Sequence, residues 1–218
     1  MSVYDVIARL PVIAEVRKVS RALAVLDAVL SPDPQYRYCS FDSRWSPTEE
    51  TALMRSGSGD EYSIVFSREG AVAQGFDHES PLSPYQPGVE ESWPGLFIGV
   101  PDSLAAALDE PALLGTDGQR LVTVCFWRTS SDPSWQCGPV EHGEKDGADW
   151  LFQLVADGRP EAYLTFAENV FEVALELDAI RHVYAQMPLT EEVVRSLNPE
   201  VQLSDLKDDI AEIGYPRS

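Results

Sequence analysis

The sequence predicts an α+β protein with an N-terminal helix, an antiparallel β-meander of about five strands and a helical C-terminal half. Two patterns support this. Apolar residues have helical spacing in the first thirty residues and again from about residue 146, whereas short β-rich runs separated by turn residues fill 36–76 and recur at 121–127. No repeat or low-complexity linker interrupts the chain, so we expect one domain over residues 1–218.

The N-terminal segment is predicted to be helical in two pieces. Ser2 and Asp5 have the spacing of a capping box at the start of the first piece. In the second piece the apolar residues recur every three or four positions, as on one buried face of a helix: Val12, Val16, Val19, Leu23, Leu26 and Leu30. The prolines of SPDP at 31–34 end this helix.

The predicted strands are short and rich in β-branched and aromatic residues. YRYCSF, TALMRS, YSIVFS and AVAQGF, at 36–41, 51–56, 62–67 and 71–76, predict four strands with tight connections. LVTVCFW at 121–127 is apolar almost throughout, so we expect a fifth strand in the centre of the sheet.

The longest predicted helix follows Pro160. Its apolar residues alternate in spacing between three and four: Tyr163, Phe166, Val170, Val173, Leu177, Ile180 and Tyr184. Two shorter helices are expected after it, the first beginning at Thr190 and the second ending before Gly214.

The acidic surplus is the main indication of function. The chain has 36 Asp and Glu against 16 Lys and Arg, a formal net charge of −20. Such a surface repels phosphate backbones and anionic membranes and attracts basic partners, so we expect no direct nucleic-acid contact and no membrane contact. A long apolar run, a signal-peptide start and a CxxC pair are all missing, and we therefore expect a cytoplasmic protein. The alternative is a simply solvated acidic surface.

Two acid-rich zones are candidates for a partner surface. Residues 69–119 contain nine acids and no Lys or Arg, and residues 141–178 contain ten acids against two basic residues. On the predicted long helix, Glu168, Glu172 and Glu176 stack at i, i+4 spacing, where like charges repel one another. Either a basic partner or a solvated face explains that arrangement.

The stretch GFDHESPLSPY at 75–85 places Asp77, His78 and Glu79 side by side where a predicted strand ends. In a functional site, Asp77 or Glu79 orients His78 as a base. In a rigid turn, Asp77 and Ser80 bond their own backbone and the two prolines fix the chain. Both interpretations stay open.

Recognised catalytic and metal-binding motifs are missing from the sequence. His78, His142 and His182 are far apart and form no HExxH or HxH pattern, and no GxSxG, SxxK or phosphate-binding glycine loop occurs. Cys39 and Cys125 fall in predicted strands and are expected to be core residues. We therefore expect no cofactor, no metal site and no catalytic nucleophile.

A tryptophan lies beside two acids in the stretch ESWPGLFIGVP. Trp93 next to Glu90 and Glu91 predicts a contact with an arginine-bearing surface. The alternative is that the apolar residues of this stretch fold inward and anchor a long loop.

The stretches GFDHESPLSPY, WPGLFIGVP and LNPEVQLSDLKDDIAEIGYP resemble a set of uncharacterised bacterial proteins of similar length. The resemblance covers most of the chain and implies a bacterial cytoplasmic protein, but it transfers no activity. The acidity and the α+β build are also similar, in a general way, to immunity proteins that neutralise toxins of competing bacteria.

These observations together predict a non-enzymatic, immunity-like protein whose acidic surface covers a basic partner such as a toxin domain. The candidate contact residues are Asp77, His78, Glu79, Glu90, Glu91, Trp93, Glu168, Glu172 and Glu176. One alternative is an enzyme or small-ligand binder that uses the Asp77-His78-Glu79 loop. Another is an acidic mimic of nucleic acid, which requires regularly spaced surface carboxylates.

Overall fold

A computed structural model describes residues 2–89, 94–110, 120–140 and 145–217. In these ranges the chain begins with helices α1 (Val3–Ile7) and α2 (Ile13–Leu30). Four strands follow: β1 (Cys39–Asp42), β2 (Glu50–Arg55), β3 (Glu61–Phe66) and β4 (Gly70–Phe76). Next come helix α3 (Asp102–Ala105) and strands β5 (Val124–Thr129) and β6 (Gln136–Cys137). The last part contains α4 (Ala148–Leu151), α5 (Gln153–Asp157), α6 (Pro160–Val170), α7 (Leu177–Tyr184), α8 (Glu191–Leu197) and α9 (Lys207–Ile213).

The strands form one antiparallel meander in the order β1-β2-β3-β4-β5-β6. The predicted α+β class, with its N-terminal helix and helical C-terminal half, is confirmed. The central position predicted for the fifth strand is wrong, because β5 lies second from the edge, beside the two-residue strand β6. Its apolar run instead reflects cover on both faces of the sheet, since Val124 to Trp127 are all buried.

Aromatic residues join the sheet to the helices on one face. Tyr62 of β3 stacks on Phe152 at a centroid distance of 4.7 Å, and Phe126 of β5 meets the same ring edge-on at 4.7 Å. On the other face, a Cβ at Gly99 would lie only 3.4 Å from the Trp127 ring, so the 94–110 segment lies directly against β5. Burial from both sides explains why β4 is buried along its whole length.

Helix α2 covers the free edge of β1, and Asp27 makes the connection. This side chain is completely buried, with one carboxylate oxygen 2.7 Å from the backbone nitrogen of Cys39 and the other 2.8 Å from the hydroxyl of Tyr163. Burial raises the pKa of Asp27 to about 6, although hydrogen bonds from Cys39, Tyr163 and Tyr38 oppose the shift. One carboxylate therefore joins α2, the edge strand and α6.

The predicted long helix from 160 to 184 is wrong, because it is two helices. Helix α6 ends at Val170, Glu172 has a left-handed φ of 55°, and α7 begins at Leu177. At the end of α6, Phe171 packs edge-on against Phe166 and Tyr38, at ring-centroid distances of 6.3 and 6.5 Å. Packing of this ring competes with continuing the helix. The apolar residues keep a regular spacing because α6 and α7 each have one buried face. Val173, which lies between the two helices, is exposed.

The starts of α1 and α8 and the end of α9 lie where the sequence predicts them. The Ser2 and Asp5 capping box is present at α1, and the Thr190 side chain accepts a hydrogen bond from the Val193 backbone at the start of α8. Helix α9 ends at Ile213, and Gly214, which follows it, has a left-handed φ of 67°. Among the described helices, none is long and apolar enough to cross a membrane.

We expect Asp27→Asn to change how stability depends on pH. In the folded protein Asp27 keeps its proton up to a pKa of about 6, against its usual value of 3.8 in the unfolded chain. Between these two values the folded state binds more protons than the unfolded state, so rising pH lowers the wild-type free energy of unfolding relative to the variant. The expected loss is about 3 kcal/mol, because one pKa unit corresponds to about 1.4 kcal/mol. Urea unfolding of both proteins from about pH 3 to about pH 8 spans both pKa values and measures this loss, and a constant difference between the two proteins contradicts it.

Candidate functional site

A cleft of about 520 Å³ lies at one end of the sheet. It forms where the β2–β3 connection, the turn after β4 and the segment before α4 meet. Its lining includes four carboxylates, one histidine, one lysine and one tryptophan: Asp60, Asp77, Glu79, Asp149, His78, Lys145 and Trp150. The three adjacent ionisable residues that the sequence singled out are therefore in one concave site.

The register of the β3–β4 hairpin positions this site. Glu61 pairs with Phe76, so the next residues outward, Asp60 and Asp77, face each other beyond the last pair of the ladder. His78 follows Asp77 directly, which brings it to Asp60. The tight connection between β3 and β4 fixes this register, and that connection was the sequence signal that could have identified Asp60.

Asp60 orients the imidazole of His78. The His78 Nδ1 atom lies 2.6 Å from Asp60 Oδ1, and the His78 backbone N–H donates to the same oxygen at 3.0 Å. The Ser56 hydroxyl donates to the other oxygen at 3.1 Å. The prediction that Asp77 or Glu79 orients His78 is therefore wrong: Asp60 does so, from 18 residues upstream.

The Asp60 and His78 pair shifts the pKa of both partners. The hydrogen bond to Asp60 raises the pKa of His78 above 6.5, because it favours the charged imidazolium. Burial on its own raises the pKa of Asp60, but hydrogen bonds from His78 and Ser56 outweigh it and lower that pKa. Since an ionised carboxylate only accepts, Nδ1 carries the proton of this bond. Nε2 lies on the open side, 4.0 Å from Glu79 Oε1.

Asp77 joins the end of β4 to α4. Its Oδ1 accepts from the Glu79 backbone at 2.9 Å, and its Oδ2 accepts from the Trp150 indole at 3.1 Å. Gly147 makes this approach possible, because a Cβ there would lie 2.4 Å from the Cβ of Asp77. The residue also has a left-handed φ of 87°, which glycine adopts without strain.

Hydrogen bonds of Asp77 and Ser80 with the nearby backbone confirm the predicted turn. The Ser80 hydroxyl accepts from the Leu82 backbone at 3.1 Å and donates to the Lys145 carbonyl at 2.8 Å. With the Asp77 bond to Glu79, these contacts make a rigid turn from local hydrogen bonds. The same turn forms one wall of the cleft.

The other predicted contact residues do not join the cleft. Glu90, Glu91 and Trp93 lie outside the described residues. Glu168 is exposed on α6, Glu172 lies in the break after it, and Glu176 precedes α7. The predicted i, i+4 row of these three glutamates is wrong, because no continuous helix carries them. The regular carboxylate spacing that a nucleic-acid mimic requires is therefore not formed here.

The cysteines occupy the structural positions expected of them. Burial raises the pKa of the Cys39 thiol well above its usual range and that of Cys125 to about 12. Both therefore stay protonated and behave as small core residues. Cys137 is half-buried, and burial raises its pKa to about 11.

Comparison with known proteins adds no relative. No family model matches the chain, and no curated protein or solved structure matches it either. The resemblance to bacterial proteins, and the general similarity to immunity proteins, remain predictions from the sequence.

We expect Asp60→Asn to lower the pKa of His78. The wild-type pKa should lie above 6.5, and loss of the Asp60 carboxylate removes the largest cause of that rise. A two-dimensional NMR titration of the imidazole resonances measures both values. Glu79→Gln is the matched control, since Glu79 acts on His78 only at longer range and should change its pKa less. A wild-type pKa of 6.5 or below, or equal effects of the two variants, contradicts the assigned hydrogen bond.

We expect Gly147→Ala to destabilise the protein more than Gly88→Ala. The two glycines have almost the same left-handed φ, 87° and 86°, but an added Cβ meets Asp77 at Gly147 and nothing within 4 Å at Gly88. The shared backbone strain costs about 1–2 kcal/mol, and the clash adds to it only at Gly147. Urea unfolding of both variants isolates the added cost. Equal losses would show that Asp77 does not lie against Gly147.

Proposed function

We propose that this chain is a non-enzymatic acidic binding protein, immunity-like and cytoplasmic, that neutralises a basic protein partner such as a bacterial toxin domain. The observation that best supports this function is the composition of the cleft. Four carboxylates of a chain with net charge −20 gather beside one exposed tryptophan. A cleft with that lining is complementary to a positively charged side chain.

The cleft suits an arginine of the partner in particular. Trp150 is 41% exposed, and its hydrogen bond to Asp77 fixes the indole at the margin of the cleft. A planar guanidinium can stack on such a ring while its N–H groups donate to carboxylates. Glu79, whose side chain is 85% exposed, is available as an acceptor in the same cleft.

Charge contributes mainly to the rate of association. Exposed carboxylates attract a basic partner over a distance of about 10 Å at moderate salt, so they accelerate encounter and orient it. Burial of the tryptophan ring would then slow dissociation. This division predicts separate effects of charge and ring substitutions on the two rate constants.

The test begins with a pull-down from the native host, in which mass spectrometry identifies the captured basic protein. Stopped-flow association with that protein should slow by about tenfold or more between about 20 and 500 mM salt. Asp77→Asn with Glu79→Gln should slow association at low salt. The matched control, Glu172→Gln with Glu176→Gln, removes the same charge outside the cleft and should slow it less. A rate that is insensitive to salt and to the cleft substitutions contradicts the proposal.

The Asp60 and His78 pair favours a second function, that of an enzyme or small-ligand binder. A buried carboxylate that holds Nδ1 and leaves Nε2 facing a cleft is the arrangement of a general base. An NMR screen with mixtures of small metabolites distinguishes this function from the first. Saturable shifts of the His78 ring resonances support it, whereas a screen without such shifts contradicts it.

A further inference from the structure

We propose that Asp60, Asp77 and His78 form a binding site for one divalent transition-metal ion of the Zn²⁺ class. Each residue offers one ligand atom, and the three atoms all lie within 4.8 Å of one another. No other group of three such side chains in the described ranges comes together in this way. The sequence alone predicted no metal site, because Asp60 is far from the other two along the chain.

The ligand types and their spacing suit zinc or its neighbours. Zinc binds imidazole nitrogen and carboxylate oxygen at about 2.0–2.2 Å, so the ligand atoms of a tetrahedral ion lie about 3.4 Å apart. The three atoms lie within 4.8 Å of one another, so the widest pair closes by up to about 1.4 Å when an ion binds. His78 and Asp77 are only half-buried and can make this movement. A mixed nitrogen and oxygen set favours Zn²⁺, Co²⁺ or Ni²⁺ over Mg²⁺ and Ca²⁺.

Asp60 gives a separate reason to expect a cation. Its side chain is 7% exposed, and in the described part of the chain its ion-pair partner is His78. A buried carboxylate requires a compensating positive charge, and imidazole supplies one only when it is protonated. A metal ion bound to the neutral imidazole supplies that charge when His78 has lost its proton.

The surrounding hydrogen bonds orient the ligands. Ser56 and the His78 backbone hold Asp60, while the Glu79 backbone and Trp150 hold Asp77. An ionised carboxylate has about four lone-pair directions, so each keeps some free for a metal. Such supporting contacts are typical around metal ligands. Three protein ligands leave one position of a tetrahedral ion open to water or to a group of a bound molecule.

This inference does not depend on the proposed partner, because the metal alone tests it. The intact chain, stripped with EDTA and dialysed, is titrated with ZnCl₂ by calorimetry and with CoCl₂ by visible absorption. We expect one ion per chain with a Kd of about 10 μM or below, and Co²⁺ bands of a site with fewer than six ligands. His78→Gln and Asp77→Asn should each weaken binding by about tenfold or more.

The control variant is Asp149→Asn, which removes a carboxylate from the same cleft but not from the cluster. It should bind Zn²⁺ nearly as tightly as the wild type. Thermal unfolding without metal confirms that the three variants fold. A Kd above about 1 mM, or equal weakening by Asp149→Asn and Asp77→Asn, overturns the site: the first shows no binding and the second only diffuse attraction by negative charge.

Discussion

The buried carboxylate of Asp27 is the interaction on which the arrangement of the layers depends. An open strand edge exposes backbone groups that must find partners, and α2 meets that requirement at β1 by supplying Asp27 to the Cys39 N–H. Its second oxygen accepts from Tyr163, so α6 is held by the same group. The cost is a carboxylate in an apolar environment, visible in its raised pKa. The residues of the cleft lie at one end of the β3–β4 ladder, where Asp60 and Asp77 lie just beyond its last pair.

The distribution of charge follows from how the basic residues are used. Arg17 and Arg21 of α2 both contact Glu50 and lie over the rings of Phe66 and Phe41, at 5.2 and 5.1 Å. Both arginines therefore have their ion-pair and aromatic partners within the folded chain. Around the cleft, by contrast, carboxylates outnumber the single lysine of the lining, and local hydrogen bonds with backbone and indole groups hold Asp77 in place. The lining of the cleft therefore carries more negative than positive side chains.

Much of the fold could be predicted, and the errors have identifiable causes. Capping at Ser2 and Thr190, the turn after β4 and the strands of the meander all depend on residues a few positions apart. The spacing of apolar residues from 160 to 184 predicts one helix, but the structure has two. Apolar spacing indicates which face of a helix is buried, and two successive helices can keep the same spacing across a break. The apolar run of β5 indicates a strand that is buried on both faces. Helices cover one face and the 94–110 segment covers the other, so a strand close to the edge of the sheet can be buried as fully as a central one.

The α+β class, the acidic character and the local turn that contains Asp77, His78 and Glu79 can be read from the sequence, because composition and short-range hydrogen bonding decide these properties. Three other features follow from the tertiary structure: Asp60 is the partner of His78, a cleft opens beside the turn, and the glutamates at 168, 172 and 176 form no row. Each of these depends on contacts between distant segments: the register of β3 on β4, the approach of Gly147 to Asp77 and the packing of Phe171 at the end of α6. Such contacts form when distant segments pack together, and the short-range patterns of a sequence do not report them.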